Sequence, residues 1–113
     1  LKALGIKKDD EVIIPDLTFV ADANAVLACN AKPIVIDINK ENFFLSISNV
    51  KKNITKKTKA IIPVHIYGQV CNIEEILDVA RDNDLKVIED CAHAIGTFHN
   101  SKHVGTFSTQ LKV

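Results

Sequence analysis

Short apolar runs alternate with longer stretches of helical spacing along the chain. Glu11-Val-Ile-Ile-Pro15 predicts a first strand, entered through the polar turn Lys7-Lys-Asp-Asp10. The Ala-rich stretch from Phe19 to Asn30 predicts a helix. Thr18 or Asp16 is placed to cap it, because a side-chain oxygen there can accept orphan backbone N–H groups. Pro33 to Ile38 predicts a second strand, nearly all apolar, as expected when both sheet faces are covered. Apolar residues at 47, 50 and 54 suit a short amphipathic helix with its lysines outside. Lys59 to Val64 predicts a third strand. Ile73 to Asn83 is the clearest helix, with Ile73, Ile76, Leu77 and Ala80 on one face and Asn72 as its cap. Glu74 and Glu75 fall in its first turn, where the helix dipole favours anions. Lys86 to Glu89 predicts a fourth strand.

Strands alternating with helices define an α/β fold, a partial three-layer sandwich around a mainly parallel sheet joined by right-handed crossovers. Residues 1–113 read as one domain, with no linker and no internal repeat. After Ala94 the pattern changes: Gly96 to Gly105 predicts a hairpin turning at Asn100-Ser101, and Thr106 to Val113 has no clear period. A sheet without flanking strands exposes its edges, which predicts self-association.

Composition narrows the function classes. Fourteen basic and fourteen acidic residues cancel, so the chain has no electrostatic footprint for nucleic acid or an anionic membrane. No apolar run approaches the ~20 residues of a membrane helix. Cys29, Cys71 and Cys91 are odd in number and lack CxxC spacing. That argues for reduced thiols in a cytoplasmic protein rather than a disulfide scaffold or a zinc site. Leu1 is not an initiator methionine and no charged-then-apolar leader follows it, so the expectation is the start of a fragment or of a processed or trimmed chain.

Ligands of parallel α/β sheets gather beyond the carboxyl ends of the strands. Three segments meet that description: Asp16-Leu-Thr-Phe19, His65-Ile-Tyr-Gly-Gln69 and Asp90-Cys-Ala-His93. Asp90 ends an apolar strand, where a carboxylate needs a cationic or hydrogen-bonding partner. A protonated pyridine nitrogen would serve; an aspartate capping the next turn is the commoner case. His93, three residues on, can share a wall with Asp90 and hydrogen-bond a phenolic oxygen, or be an ordinary satisfied histidine. Phe19 offers an aromatic face to a flat ring, or simply packs in the core. His65 and Tyr67 are open in the same way. His99 and His103 are expected at the surface, and Gly68 in a turn, since glycine tolerates positive φ. Glu89 and Asp90, adjacent in a strand, must point to opposite faces.

Four stretches in this order, GIKKDDEVIIPDLTFVADANAV, AKPIVIDI, TKAIIPVHIYGQVCNIEEI and KVIEDCAHAIGTFHNSKHVGTFS, resemble the DegT/DnrJ/StrS-type nucleotide-sugar aminotransferases. The resemblance runs from Leu4 to about Ser108, and its PVHIYGQ and IEDCAHAIG blocks are specific. It implies part of the large domain of a fold-type-I enzyme dependent on pyridoxal 5'-phosphate (PLP). Such enzymes are usually homodimers with the active site at the subunit interface. They move an amino group from glutamate to a keto group on a nucleotide-linked hexose, as in perosamine-like amino sugars for surface polysaccharide. Carried over by position, Asp90 would pair with the pyridine nitrogen, His93 would contact the ring's phenolic oxygen, and Phe19 would stack on the ring.

The sequence departs from the family pattern at both ends. It holds neither the upstream turn that binds the PLP phosphate nor the downstream lysine motif of the Schiff base, and Lys112 sits in no copy of that motif. The expectation is a truncated gene product or trimmed chain that lacks transaminase activity alone and binds cofactor weakly. Two alternatives follow: a segment of a PLP-dependent sugar dehydratase, or a non-catalytic remnant that acts as an interaction module. A receiver-type domain fits poorly, because the third strand ends in Val64-His65 where a phosphorylatable aspartate would stand.

Overall fold

The computed structural model describes residues 1–108, so the expectations for Thr109 to Val113, Lys112 included, lie outside the described residues. A short 3-10 turn, Lys2–Leu4, leads into β1 (Glu11–Pro15). There follow α1 (Ala21–Leu27), β2 (Lys32–Ile36), α2 (Ile47–Asn53), β3 (Thr58–Ile61), a second 3-10 turn (Ile66–Gly68), α3 (Ile73–Asp82) and β4 (Lys86–Val87). The predicted hairpin forms from β5 (Phe98–His99) and β6 (Lys102–His103), with Asn100 and Ser101 both at positive φ in the turn.

Strands β1 to β4 make one parallel sheet in the order β2-β1-β3-β4. Alternation along the strands sends side chains to opposite faces. Val12, Ile14, Ala60 and Ile62 face Val26 and Cys29 of the α1 region, whereas Ile13, Ile61 and Val87 face Val50 of α2 and Ile73, Ile76, Val79 and Ala80 of α3. These are the three predicted layers. Ile76 is fully buried, which contributes roughly 2–3 kcal/mol relative to exposure. No helix among the described residues is long and apolar enough to cross a membrane.

The strands are shorter than the apolar runs suggested, for local reasons. Pro63 has no N–H to donate, so the β3–β4 ladder stops at Ile61 and Val87 and resumes only as a bridge between Val64 and Asp90. The caps differ too. Thr18 donates to the Asp22 carboxylate and Asp16 accepts the backbone N–H of Ile38, so neither caps α1, whose first flanking residue is Val20. Asn72 flanks α3 as predicted, but its amide donates to the Leu45 carbonyl and its buried Oδ1 has no partner. Ser46 does cap α2, accepting the N–H of Asn49.

Candidate functional site

The carboxyl ends of β1, β3 and β4 enclose a cavity of ≈ 250 Å³. Thr18 and Phe19 line it from the first end, Val64, Ile66 and Tyr67 from the second, and Asp90, Ala92 and His93 from the third. Strand order reverses between β1 and β3, because β2 lies on one side of β1 and β3 on the other. Crevices at such switch points are where open α/β sheets take ligands.

Asp90 is fixed by its own backbone. Its N–H donates to the Pro63 carbonyl at 2.9 Å and its carbonyl accepts from His65 at 3.0 Å, which locks it beside Val64. One carboxylate oxygen, Oδ1, accepts the N–H of Ala92 at 2.9 Å. The turn-capping role weighed from the sequence is therefore present, and Asp90 lines the cavity as well. His93 is exposed, with its ring stacked on Tyr67 (centroids 6.0 Å, planes at 26°), while Phe43 meets Tyr67 edge-on at 6.4 Å. Phe19 is 73% exposed, with its side chain at the mouth of the cavity. Tyr67 holds a left-handed backbone (φ 55°), and Gly68 follows at φ 76°. Such strain in a tyrosine persists only where the surroundings over-determine it.

Behind this wall, on the opposite face from Asp90, lies a second cluster. The imidazole of His65 is wholly buried: Nδ1 accepts the N–H of Cys71 at 3.1 Å, so Nε2 carries the proton and donates to Glu89 Oε2 at 3.1 Å. Glu89 also accepts backbone N–H groups from Gly105 (2.7 Å), Phe107 (2.8 Å) and Ser108 (2.8 Å). Burial pushes this carboxyl up, but the bonds from His65, Ser108 and Gly105 outweigh it and hold it at about 2. Cys91 lies close enough to complete a possible metal triad with His65 and Glu89. The donor set argues otherwise: Nε2 is protonated and both Glu89 oxygens are already bonded. The Cys91 thiol is pushed up to about 11 by burial and by Glu89 and Asp90. His65 is thus a structural hub rather than a substrate contact.

The structure brings Asp90, His93 and Phe19 to one cavity and adds Tyr67 and Thr18. Sequence reasoning missed Asp22, a buried carboxyl in the first turn of α1 bonded to Thr18 at 2.7 Å. Its only sequence signal was an acid four residues after a threonine. His99 and His103 lie in the hairpin at the surface, partly covered by their neighbours. His99 Nε2 lies 3.3 Å from Glu74 Oε1, and His103 accepts the N–H of Gly96 while packing against the edge of Phe98.

The lining suits the ring of a nitrogen heterocycle, with apolar faces from Phe19, Val64 and Ala92 and polar contacts from Asp90 and His93. It does not suit a phosphate, for among the described residues no lysine or arginine lines it. Fold and site define a parallel α/β domain with an acid at the cavity beyond its strand ends.

The chain belongs to the DegT/DnrJ/EryC1/StrS aminotransferase family, whose model matches residues 1–112. It is 49% identical to a GDP-perosamine synthase of Vibrio cholerae over 107 residues, 95% of this chain and 29% of that protein. A GDP-perosamine synthase of Escherichia coli O157:H7 is 48% identical over the same shares. Among solved structures, DesV of S. venezuelae matches with TM-score 0.90 and 34% identity, over 93% of this chain and 28% of that one. NtdA from Bacillus subtilis, with bound cofactor PMP, matches with TM-score 0.82 and 44% identity, over 85% and 22%. The chain therefore spans under a third of the length of these relatives.

Proposed function

We propose that the cavity holds the ring of pyridoxal 5'-phosphate within a longer aminotransferase that acts on a keto nucleotide-sugar. Asp90 would meet the pyridine nitrogen, His93 the phenolic oxygen, and Phe19 the ring face. When bound, the cofactor supplies an electron sink for carbanion chemistry. The chain's own part is to keep a carboxylate facing the ring, to set the His93 imidazole against Tyr67, and to present apolar walls that exclude water. The reading is carried by a carboxylate fixed at the β1/β3 switch point, beside an imidazole and an exposed phenylalanine. The names of the GDP-perosamine synthases favour a GDP-linked sugar. The exposed Phe19, Tyr67 and Phe43 around the mouth favour completion of the site by a second subunit. Transamination also needs an amine nucleophile, and among the described residues no lysine lines the cavity.

The test uses the whole chain and pyridoxine 5'-phosphate, which lacks the aldehyde and so reports non-covalent fit alone. Titration followed by NMR should move the resonances of Phe19, His93 and Asp90. Asp90→Asn should weaken binding about tenfold, or ~1.4 kcal/mol. No perturbation at millimolar ligand, or perturbation confined to another face, overturns the reading.

A further inference from the structure

Basic and acidic totals cancel along the chain, but the fold separates the charges in space. In a parallel sheet all strands start at one end, and the crossover helices finish there. Lys7, Lys8, Lys32, Lys57, Lys59 and Lys86 stand at or just before the strand starts, and so gather at this amino end. Asp16, Asp37, Glu41, Glu74, Glu75 and Asp90 lie beyond strand ends or open α3, and gather at the carboxyl end with the cavity. The expectation of no electrostatic footprint, drawn from net charge, therefore fails at the amino end.

The densest part of that end is residues 51–59, Lys-Lys-Asn-Ile-Thr-Lys-Lys-Thr-Lys, with five lysines and no acid. All five are exposed, and none belongs to the ion pairs present among the described residues. The backbone that carries them is fixed. The N–H of Thr55 donates to the Thr58 hydroxyl at 2.9 Å, that of Lys57 to the Thr55 hydroxyl at 3.1 Å, and that of Glu11 to the Lys57 carbonyl at 2.8 Å. The Glu11 carboxylate beside this turn accepts the Thr55 hydroxyl at 2.6 Å. Lys59 shares a hollow with Lys7 and Lys86, which carries the basic surface across the sheet. Asp10 and Asp84 line the same hollow, and Asp10, 9% exposed, is turned to the backbone N–H of Lys7. Helix termini account for part of this pattern only: Lys51 and Lys52 lie in the last turn of α2, where the dipole favours cations, and the others lie outside helices. Edge protection does not account for Lys57 and Lys59, because β3 lies inside the sheet between β1 and β4.

The kind of charge selects the partner. The five phenylalanines and the single tyrosine all lie elsewhere, so the surface offers no ring for the stacking that holds single-stranded nucleic acid. The one arginine, Arg81, is paired with Asp78, so no free guanidinium is present for the bidentate contacts that read a duplex. A protein partner would need an apolar centre ringed by polar groups, and residues 51–59 present lysines instead. Strongly hydrated point charges on flexible stems, spread over the blunt end of a domain, match a planar field of anions. We propose that the amino end of the sheet, centred on residues 51–59, is a docking surface for an anionic lipid bilayer, held by Coulomb attraction without insertion. The acidic carboxyl end is repelled by the same field, so the docked domain stands with its cavity facing away from the lipid.

The test mixes the whole chain with phosphatidylcholine vesicles holding about 40% phosphatidylglycerol at low salt, and reads the bound share by sedimentation. Binding should vanish on pure phosphatidylcholine and fall steeply as added salt shortens the screening length. Lys56→Gln/Lys57→Gln alters two exposed side chains and should leave the melting curve near wild type. It should weaken binding about 25-fold, at about fivefold per lysine. Lys40→Gln, at the opposite end, should leave binding unchanged. No binding at low salt, equal binding to neutral vesicles, or a loss in Lys40→Gln as large as in the double variant overturns the proposal. Tighter binding to a DNA duplex or a single-stranded RNA than to the vesicles at the same salt overturns it too, by giving the face to nucleic acid. The cofactor reading is untouched by each of these outcomes, since its own test uses another ligand at the other end of the sheet.

Discussion

The side chains of His65 and Glu89 meet at 3.1 Å in a setting closed to water, 0% and 1% exposed. The histidine joins the loop at Cys71 to Glu89, two residues past β4, and the glutamate joins that segment to residues 105–108. Removing either partner leaves a buried polar group unsatisfied. His65→Ala and Glu89→Gln should each cost about 2–4 kcal/mol in urea denaturation. In a double-mutant cycle their coupling should reach about 1–3 kcal/mol. Strictly additive costs would show that the contact is incidental.

The same carboxylate sets an acid limit on stability. Glu89 is held at about 2 in the folded chain against an ordinary 4.5, so the unfolded chain binds the extra proton first. Its contribution is fully present above about pH 4.5 and is lost as the pH falls towards about 2. Urea midpoints measured down this range should drop in the wild type and drop less in Glu89→Gln. Parallel profiles for the two proteins would refute the assignment.

Two glycines separate backbone strain from steric contact. A Cβ on Gly68 would lie 3.7 Å from the His93 carbonyl, an ordinary contact, so Gly68→Ala carries only the penalty of positive φ, about 1–2 kcal/mol. On Gly105 the Cβ would meet Cys91 Sγ at 3.2 Å, and Gly105→Ala should cost about 2–3 kcal/mol. Adding Cys91→Ala should return part of the difference at Gly105. Equal melting temperatures for the two single variants would contradict the geometry.

The layers and the parallel sheet were legible because apolar runs such as Val12-Ile-Ile14 and the one-sided spacing of Ile73, Ile76 and Ala80 are local signals. The meeting of Phe19, Asp90 and His93 was legible only through strand-end placement and family resemblance. The caps failed because Asp16 turns its oxygen to the distant Ile38 N–H, and Thr18 donates its hydroxyl to Asp22 four residues on. Asp22 was hidden in an Ala-rich helix, where no apolar periodicity marks an acid as buried. The role of His65 was equally hidden, since its partners Cys71 and Glu89 come from two other segments.

The thiols should be quiet in the native state. Burial, with Glu89 and Cys91 adding to it, pushes Cys71 up to about 12, and Cys91 stands at about 11. At pH 8 fewer than about one in a hundred of either is thiolate, the form that reacts. Iodoacetamide should label both at least about tenfold more slowly in folded than in urea-unfolded protein. Fast labelling of Cys91 in the folded chain would exclude this setting.

The cavity takes its walls from three strand termini that lie far apart along the sequence. A molecule seated there behaves as a clasp: no partial opening of the sheet can spare it, so occupancy is recorded in the heat needed to melt the domain. At a hundredfold excess over its dissociation constant, a guest adds about 2.7 kcal/mol. Candidate guests can therefore be ranked on these residues by a melting curve, with no turnover assay.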